Sequence, residues 1–232
     1  MRAVQQKLFD DGKDPLCSYL PGWEETLQWE VLGMEWLEDD MPIQALGKKG
    51  LLRVELEVQT SPHEISSAHG GIVPNAAWRL LWALGSLKSP QEEILIEGFY
   101  DTLTFPEDET VEFLRTLPDS APRLAQQWGL PQLLLELQGF QLYYVWLLTP
   151  TCTITGIQSG TLREEPGGLD AHRTIPGRAR AQVDFQLVPG QEPHDIFAKL
   201  QRHLQVQGFS DIEVRLLESR PAASPLLFPP HS

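Results

Sequence analysis

Leu52-Arg53-Val54-Glu55-Leu56-Glu57-Val58-Gln59 alternates without a break between apolar and polar side chains. Successive side chains of a strand point to opposite faces. This period of two therefore predicts a half-buried strand, with Leu52, Val54, Leu56 and Val58 inward and Arg53, Glu55, Glu57 and Gln59 outward. Downstream, after a Gly/Pro-rich turn, Asn75 is placed to cap a helix in which Ala76, Ala77, Leu80, Leu81, Leu84 and Leu87 recur at helical spacing, with Trp78 and Trp82 on its flank.

The alternation returns at Thr151, where Cys152 and Ile154 alternate with Thr151, Thr153 and Thr155 before a predicted turn at Gly156. It is cleanest over 178–188, where Ala179, Ala181, Val183, Phe185 and Leu187 oppose Arg178, Arg180, Gln182, Asp184 and Gln186. Pro189-Gly190 ends that strand. From Pro193, Ile196, Phe197, Leu200 and Leu204 form one helix face, with Gly208 as its stop. Ile212, Val214 and Leu216 then alternate with Asp211, Glu213 and Arg215. The order β-α-β-β-α-β predicts an α/β (α+β) ferredoxin-like unit, an antiparallel sheet with two helices on one face.

Residues 88–150 interrupt this unit at a length no loop explains, so they form a mostly helical insertion with helical pieces expected around Glu109–Leu117 and Pro131–Gln138. A short amphipathic helix is expected near Ala3–Phe9, followed by the acidic stretch Glu35–Asp40.

Composition excludes more than it names. With 18 Lys+Arg against 32 Asp+Glu the formal charge is −14, which disfavours a nucleic-acid partner because phosphate binding needs clustered cations. Cys17 and Cys152 have neither metal-motif spacing nor the density of a disulfide scaffold. No apolar run reaches the roughly 18 residues of a membrane span, and Met1-Arg2-Ala3-Val4-Gln5-Gln6 lacks a signal-peptide core. A reducing, cytoplasmic setting is the expectation.

Five motifs carry a family resemblance: Pro42 with Gly47-Lys48-Lys49-Gly50, Gly70-Gly71-Ile72-Val73-Pro74-Asn75, Glu97-Gly98-Phe99-Tyr100-Asp101, Thr174-Ile175-Pro176, and Leu187-Val188-Pro189-Gly190-Gln191. In this order the chain resembles zinc-dependent peptidases of the carnosinase, aminoacylase and succinyl-diaminopimelate desuccinylase family. In that family a ferredoxin-like lid, which is also the dimerisation domain, is inserted into a two-zinc catalytic domain. The resemblance implies residues 1–49 as a remnant of the α/β catalytic domain, 50–218 as the lid with insertion 88–150, and 219–232 as the start of the return segment. It implies a metallopeptidase or amidohydrolase ancestry, incomplete and inactive in the isolated chain, or alternatively a non-catalytic dimerisation module.

The resemblance also assigns roles. Glu24 takes the position of the family's general base and Glu25 that of a zinc ligand, although two adjacent acids in an acidic chain are equally consistent with a solvated pair. No His-x-Asp precedes them, and the family's further acid falls on Gly33. Zinc is therefore the family's cofactor, and this chain alone is not expected to hold it stably. Thr174 matches a substrate-binding threonine, and is also sound turn chemistry before a strand. Ile65 stands where the family has a substrate-reaching histidine, flanked by His63 and His69, and Gln186 stands where it has a carboxylate-binding arginine. The implied partners are a second copy, bound through the lid, and a complementing catalytic-domain chain.

Other residues have ordinary expectations: Tyr143, Tyr144 and Trp146 in a core, His194 and His203 on the exposed side of their helix, Cys152 as a small core residue, and Gly167-Gly168 as a flexible turn.

Overall fold

The computed structural model describes residues 49–104, 106–161 and 173–223. Glu24, Glu25, the expected helix near Ala3–Phe9 and the Gly167-Gly168 turn lie outside them. Four strands, β1 (Gly50–Gln59), β3 (Thr151–Ser159), β5 (Arg178–Leu187) and β6 (Glu213–Arg220), form one sheet in the order β3-β5-β1-β6. Every neighbouring pair is antiparallel. Two residues each of β2 (Ile65–Ser66) and β4 (Thr174–Ile175) pair separately.

The alternation that predicts β1 places Leu52, Val54, Leu56 and Val58 in the core, opposite Phe185, Val183, Ala181 and Ala179 of β5. Helices α1 (Ala76–Leu87) and α5 (Pro193–Val206) cover this face through Leu80, Ala83, Leu84 and Leu87 and through Ile196, Leu200 and Leu204. Each such Leu, Ile or Val contributes roughly 1.5–3 kcal/mol by leaving water. Helix α1 starts where Asn75 Oδ1 accepts from the amides of Ala77 (2.8 Å) and Trp78 (3.2 Å). Helix α5 opens on Pro193 and stops before Gly208, whose φ of +81° suits glycine.

The outward face of β1 is not simply solvated. Glu55 and Glu57 are buried, because Arg215 of β6 spans both carboxylates and Arg178 of β5 reaches Glu57. Arg53 makes a bidentate pair with Asp184 at 2.9 and 2.8 Å. Long arginine stems thus roof the carboxylates of the central strands.

The insertion contains α2 (Asp108–Thr116), α3 (Ala121–Gln127) and α4 (Gly139–Leu148). Its first helical piece is where spacing predicts it. Pro131–Gln138 is not a helix, since only Leu134–Glu136 makes a 3-10 turn, with φ +54° at both Leu135 and Glu136. The second helical mass is instead α4, held by the Tyr143 hydroxyl against Pro118 O (2.6 Å) and Ser120 Oγ (2.8 Å).

Two of the five motifs turn out to join insertion and sheet. The buried Gln191 side chain donates from Nε2 to Phe99 O (2.8 Å) and accepts at Oε1 from Val188 N (3.2 Å). Gly190, at φ +94°, leaves room for Thr102 O, which a Cβ would meet at 2.3 Å.

Candidate functional site

Two places are candidates for function. The first is the corner made by β2 and β4. Ile65 pairs with Ile175 and Ser66 with Thr174, so Thr174 and the position of the family's histidine fall on adjacent rungs. Thr174 Oγ1 donates to Glu64 Oε2 at 2.5 Å, and both side chains are exposed. The corner is drawn tight by Gly177, whose carbonyl accepts from Thr60 N (2.8 Å); a Cβ there would lie 2.6 Å from Ser61 O and 3.0 Å from His63 O. His63 and His69 are exposed beside it. Gln186 is not brought here: it sits near the far end of β5, against Thr151 and Leu51, ~27 Å along the strand at 3.4 Å per residue.

The second place is the free edge of β3. This strand does not turn at Gly156; it runs on to Ser159 through a bulge between Ile154 and Gly156, which leaves Thr155 as the extra residue. Ile154 then pairs with Val183 and Ile157 with Ala181, so the bulge puts both isoleucines, three apart, on the helix-covered side of the sheet. Among the described residues no helix covers them, and they are 51% and 55% exposed. At 100° per residue Leu81 lies on the flank of α1 shared with its C-cap Lys88, whose ammonium acts on the thiol of Cys152 in β3. Leu81 is 45% exposed, and Trp78 and Trp82 stack above it with centroids 6.0 Å apart.

The other flank of α1 is closed against α5 and the turn after it. Arg79 pairs with Asp211, donates to Gly208 O (2.5 Å) and lies 4.7 Å over the Phe209 ring, and this pairing lowers the Asp211 carboxyl below its ordinary range. Ser86 Oγ donates to Ala83 O (2.7 Å) and so accepts from His203 Nε2, 3.1 Å away. His203 is therefore buried, contrary to the exposed face expected for it, and burial lowers its pKa. His194 is exposed as expected. Tyr143 is fully buried, while Tyr144 and Trp146 are half-buried. Cys152 faces the core, where burial pushes its thiol to about 12, the environment of an inert side chain.

Among the described residues no group of three or more His, Cys, Asp or Glu could hold a metal. They do not fit the family's zinc, and no step through zinc follows from them. None of the helices among the described residues is long and apolar enough to cross a membrane.

Among the described residues, the helix-backed antiparallel sheet is a two-layer α+β domain in which β3 is an apolar-flanked edge strand. The chain belongs to the M20 peptidase dimerisation domain family, which matches residues 46–211. It is similar over 75% of its length to an M20 family metallo-carboxypeptidase from Sulfolobus solfataricus, at 29% identity and a TM-score of 0.67. It shares its fold with human carnosine dipeptidase 1 (21% identity, 77% of this chain, TM-score 0.67) and with a di-peptidase from Saccharomyces cerevisiae (16%, 77%, 0.65). The chain spans 39%, 38% and 37% of these three proteins.

Proposed function

We propose that this chain acts as the dimerising lid of an M20-type amide-bond hydrolase, joining two copies along β3. Metallopeptidase ancestry follows from the family; the use of the β3 edge is our reading. The observation that carries it is that Ile154, Ile157 and Leu81 lie uncovered beside a strand edge without a charged residue. Two such edges meeting about a two-fold axis add strand to strand and bury the three apolar side chains from each copy. Sedimentation of the full chain over a concentration series should show a dimer. A chain that stays monomeric at the highest concentration overturns the reading.

The division into 1–49, 50–218 and 219–232 belongs to this proposal. It is supported by the close approach of Gly50 to Ala222 N and Arg220 O, which a Cβ would meet at 2.6 and 2.8 Å. The chain thus enters and leaves the sheet at one place, as an inserted domain does. Within that arrangement Glu24 serves as general base, Glu25 as zinc ligand and Thr174 as a substrate contact, with the remaining ligands supplied by a complementing catalytic chain in a reducing, cytoplasmic setting. The chain alone is then inactive. Stoichiometric zinc and dipeptide hydrolysis by the purified chain alone would overturn that inactivity.

A further inference from the structure

Helix α4 has the composition of a core helix without the burial of one. Of Gly139-Phe140-Gln141-Leu142-Tyr143-Tyr144-Val145-Trp146-Leu147-Leu148 only Leu142 and Tyr143 are buried, and Tyr144 through Leu148 are half-buried. A helix that is apolar all round is normally enclosed on every side. Phe140 is partly occupied, since it meets Tyr144 at 5.6 Å and carries the Arg115 guanidinium at 4.5 Å. Opposite Leu142 and Tyr143, helical spacing puts Gln141, Tyr144, Val145 and Leu148 on one outward stripe, in which Gln141 is exposed and uncharged and the three apolar side chains are half-buried.

This helix is continuous with the β3 edge. Thr149 and Pro150 alone separate them, and Lys49 Nζ pins the junction by donating to Thr149 O at 2.5 Å. From Leu137 to Leu162 the chain has no Asp, Glu, Lys, Arg or His, although 22% of the whole sequence is charged. Helix and strand form one strip with no charged side chain of its own, and cations lie against it: Arg115 over Phe140, Lys49 at the junction and Arg180 on Gln158. The choice of occupant follows from charge. Two copies of a chain at −14 repel when acidic faces meet, and this strip lets them touch without bringing a carboxylate of its own to the contact. Aromatic enrichment with loss of charge is also what marks the centre of protein interfaces.

We propose that α4 is the second half of the dimer seam: when two copies join along β3, the outer flank of α4 at Val145 and Leu148 packs against the second copy. This rests on the β3-edge reading above and assigns the insertion a role in it.

The test uses the full chain and its self-association by sedimentation, with circular dichroism to confirm folding. The double variant Val145→Glu/Leu148→Glu should raise the dissociation constant at least about tenfold, because unpaired charges enter a dry contact. If the wild type dimerises and this folded variant dimerises equally well, the α4 proposal is overturned while the β3 reading stands. A wild type that is monomeric overturns both. Should the variant fail to fold, hydrogen exchange on the wild type decides: slower exchange of α4 amides at dimeric than at monomeric concentration supports the seam, and unchanged exchange overturns it.

Discussion

The sheet has two edges, and they are built oppositely. β6 presents Glu213, Arg215, Glu218 and Arg220 in eight residues and shifts register beside Arg53 and Val54. Charge and a bulge are the devices by which edge strands refuse partners. β3 has nine residues, none charged, and its bulge turns two isoleucines to the same face instead of disrupting the edge. The helices repeat the asymmetry. α5 and the turn after it lie on the β6 side and tie to α1 through Ser86–His203 and Arg79–Asp211, whereas the β3 side of α1 carries exposed Leu81. One half of the domain is finished by internal pairing, and the other is the half we propose for a second molecule.

The same substitution on the two edges gives the most direct way to break this contrast. Ile157 is 55% exposed and Leu217 46% exposed, so lysine at either site is accommodated in the monomer. Ile157→Lys should weaken self-association by about a hundredfold, since it places like charges across a two-fold contact. Leu217→Lys should change it by less than about twofold. Equal effects of the two variants in sedimentation would remove the distinction between the edges.

The second largest effect should fall on stability and on the finished half. Arg215→Ala leaves the buried Glu55 without its guanidinium and Glu57 with Arg178 alone. Uncompensated buried charge costs ~3–5 kcal/mol, reduced here to ~2–3 kcal/mol because Arg215 itself is half exposed and water can replace it in part. Urea unfolding at neutral pH measures this. A loss of stability below about 0.5 kcal/mol would mean that the carboxylates are solvated and that the arginine roof is decoration.

How much of this was legible depended on whether the cause was local. The strands of the main sheet follow from alternation because each faces one apolar layer, and the Asn75 cap and the Gly208 stop are written at the positions they occupy. The β3 bulge was not legible: a glycine after Thr155 has the signature of a turn, and only pairing with β5 shows that the strand continues. α4 was missed because a helix apolar on all sides has no 3.6-residue period to detect, while the run after Pro131 has one and does not form a helix. His203 looked exposed because its partner Ser86 lies on another helix. The juxtaposition of Thr174 with Ile65 was likewise invisible, being made by two strands of two residues each.

His203 gives a pH test of the joint between α1 and α5. Burial lowers its folded pKa below the ordinary value of 6.5, so the folded protein favours the neutral ring. The associated stability is fully present above the unfolded pKa and is lost as pH falls through the depressed folded value. Thermal unfolding should therefore show stability declining below pH 6.5 more steeply in the wild type than in His203→Gln, which keeps a donor for Ser86 but does not titrate. Parallel pH profiles for the two proteins would show that other groups govern the decline.

The smallest effect should come from the corner that belongs to neither edge. Thr174 and Glu64 are both exposed, so their 2.5 Å hydrogen bond competes with water at every moment. Thr174→Val keeps the β-branched shape that suits β4 and removes only the hydroxyl, which should cost less than about 1 kcal/mol and leave self-association unchanged. If the threonine is a substrate contact, its weight appears elsewhere: with a complementing catalytic chain present, the variant should lower the rate of amide hydrolysis while sedimentation and urea unfolding stay at wild-type values. Were stability to fall by several kcal/mol instead, Thr174 would be a structural tie between β2 and β4, and the corner would join the finished half of the molecule.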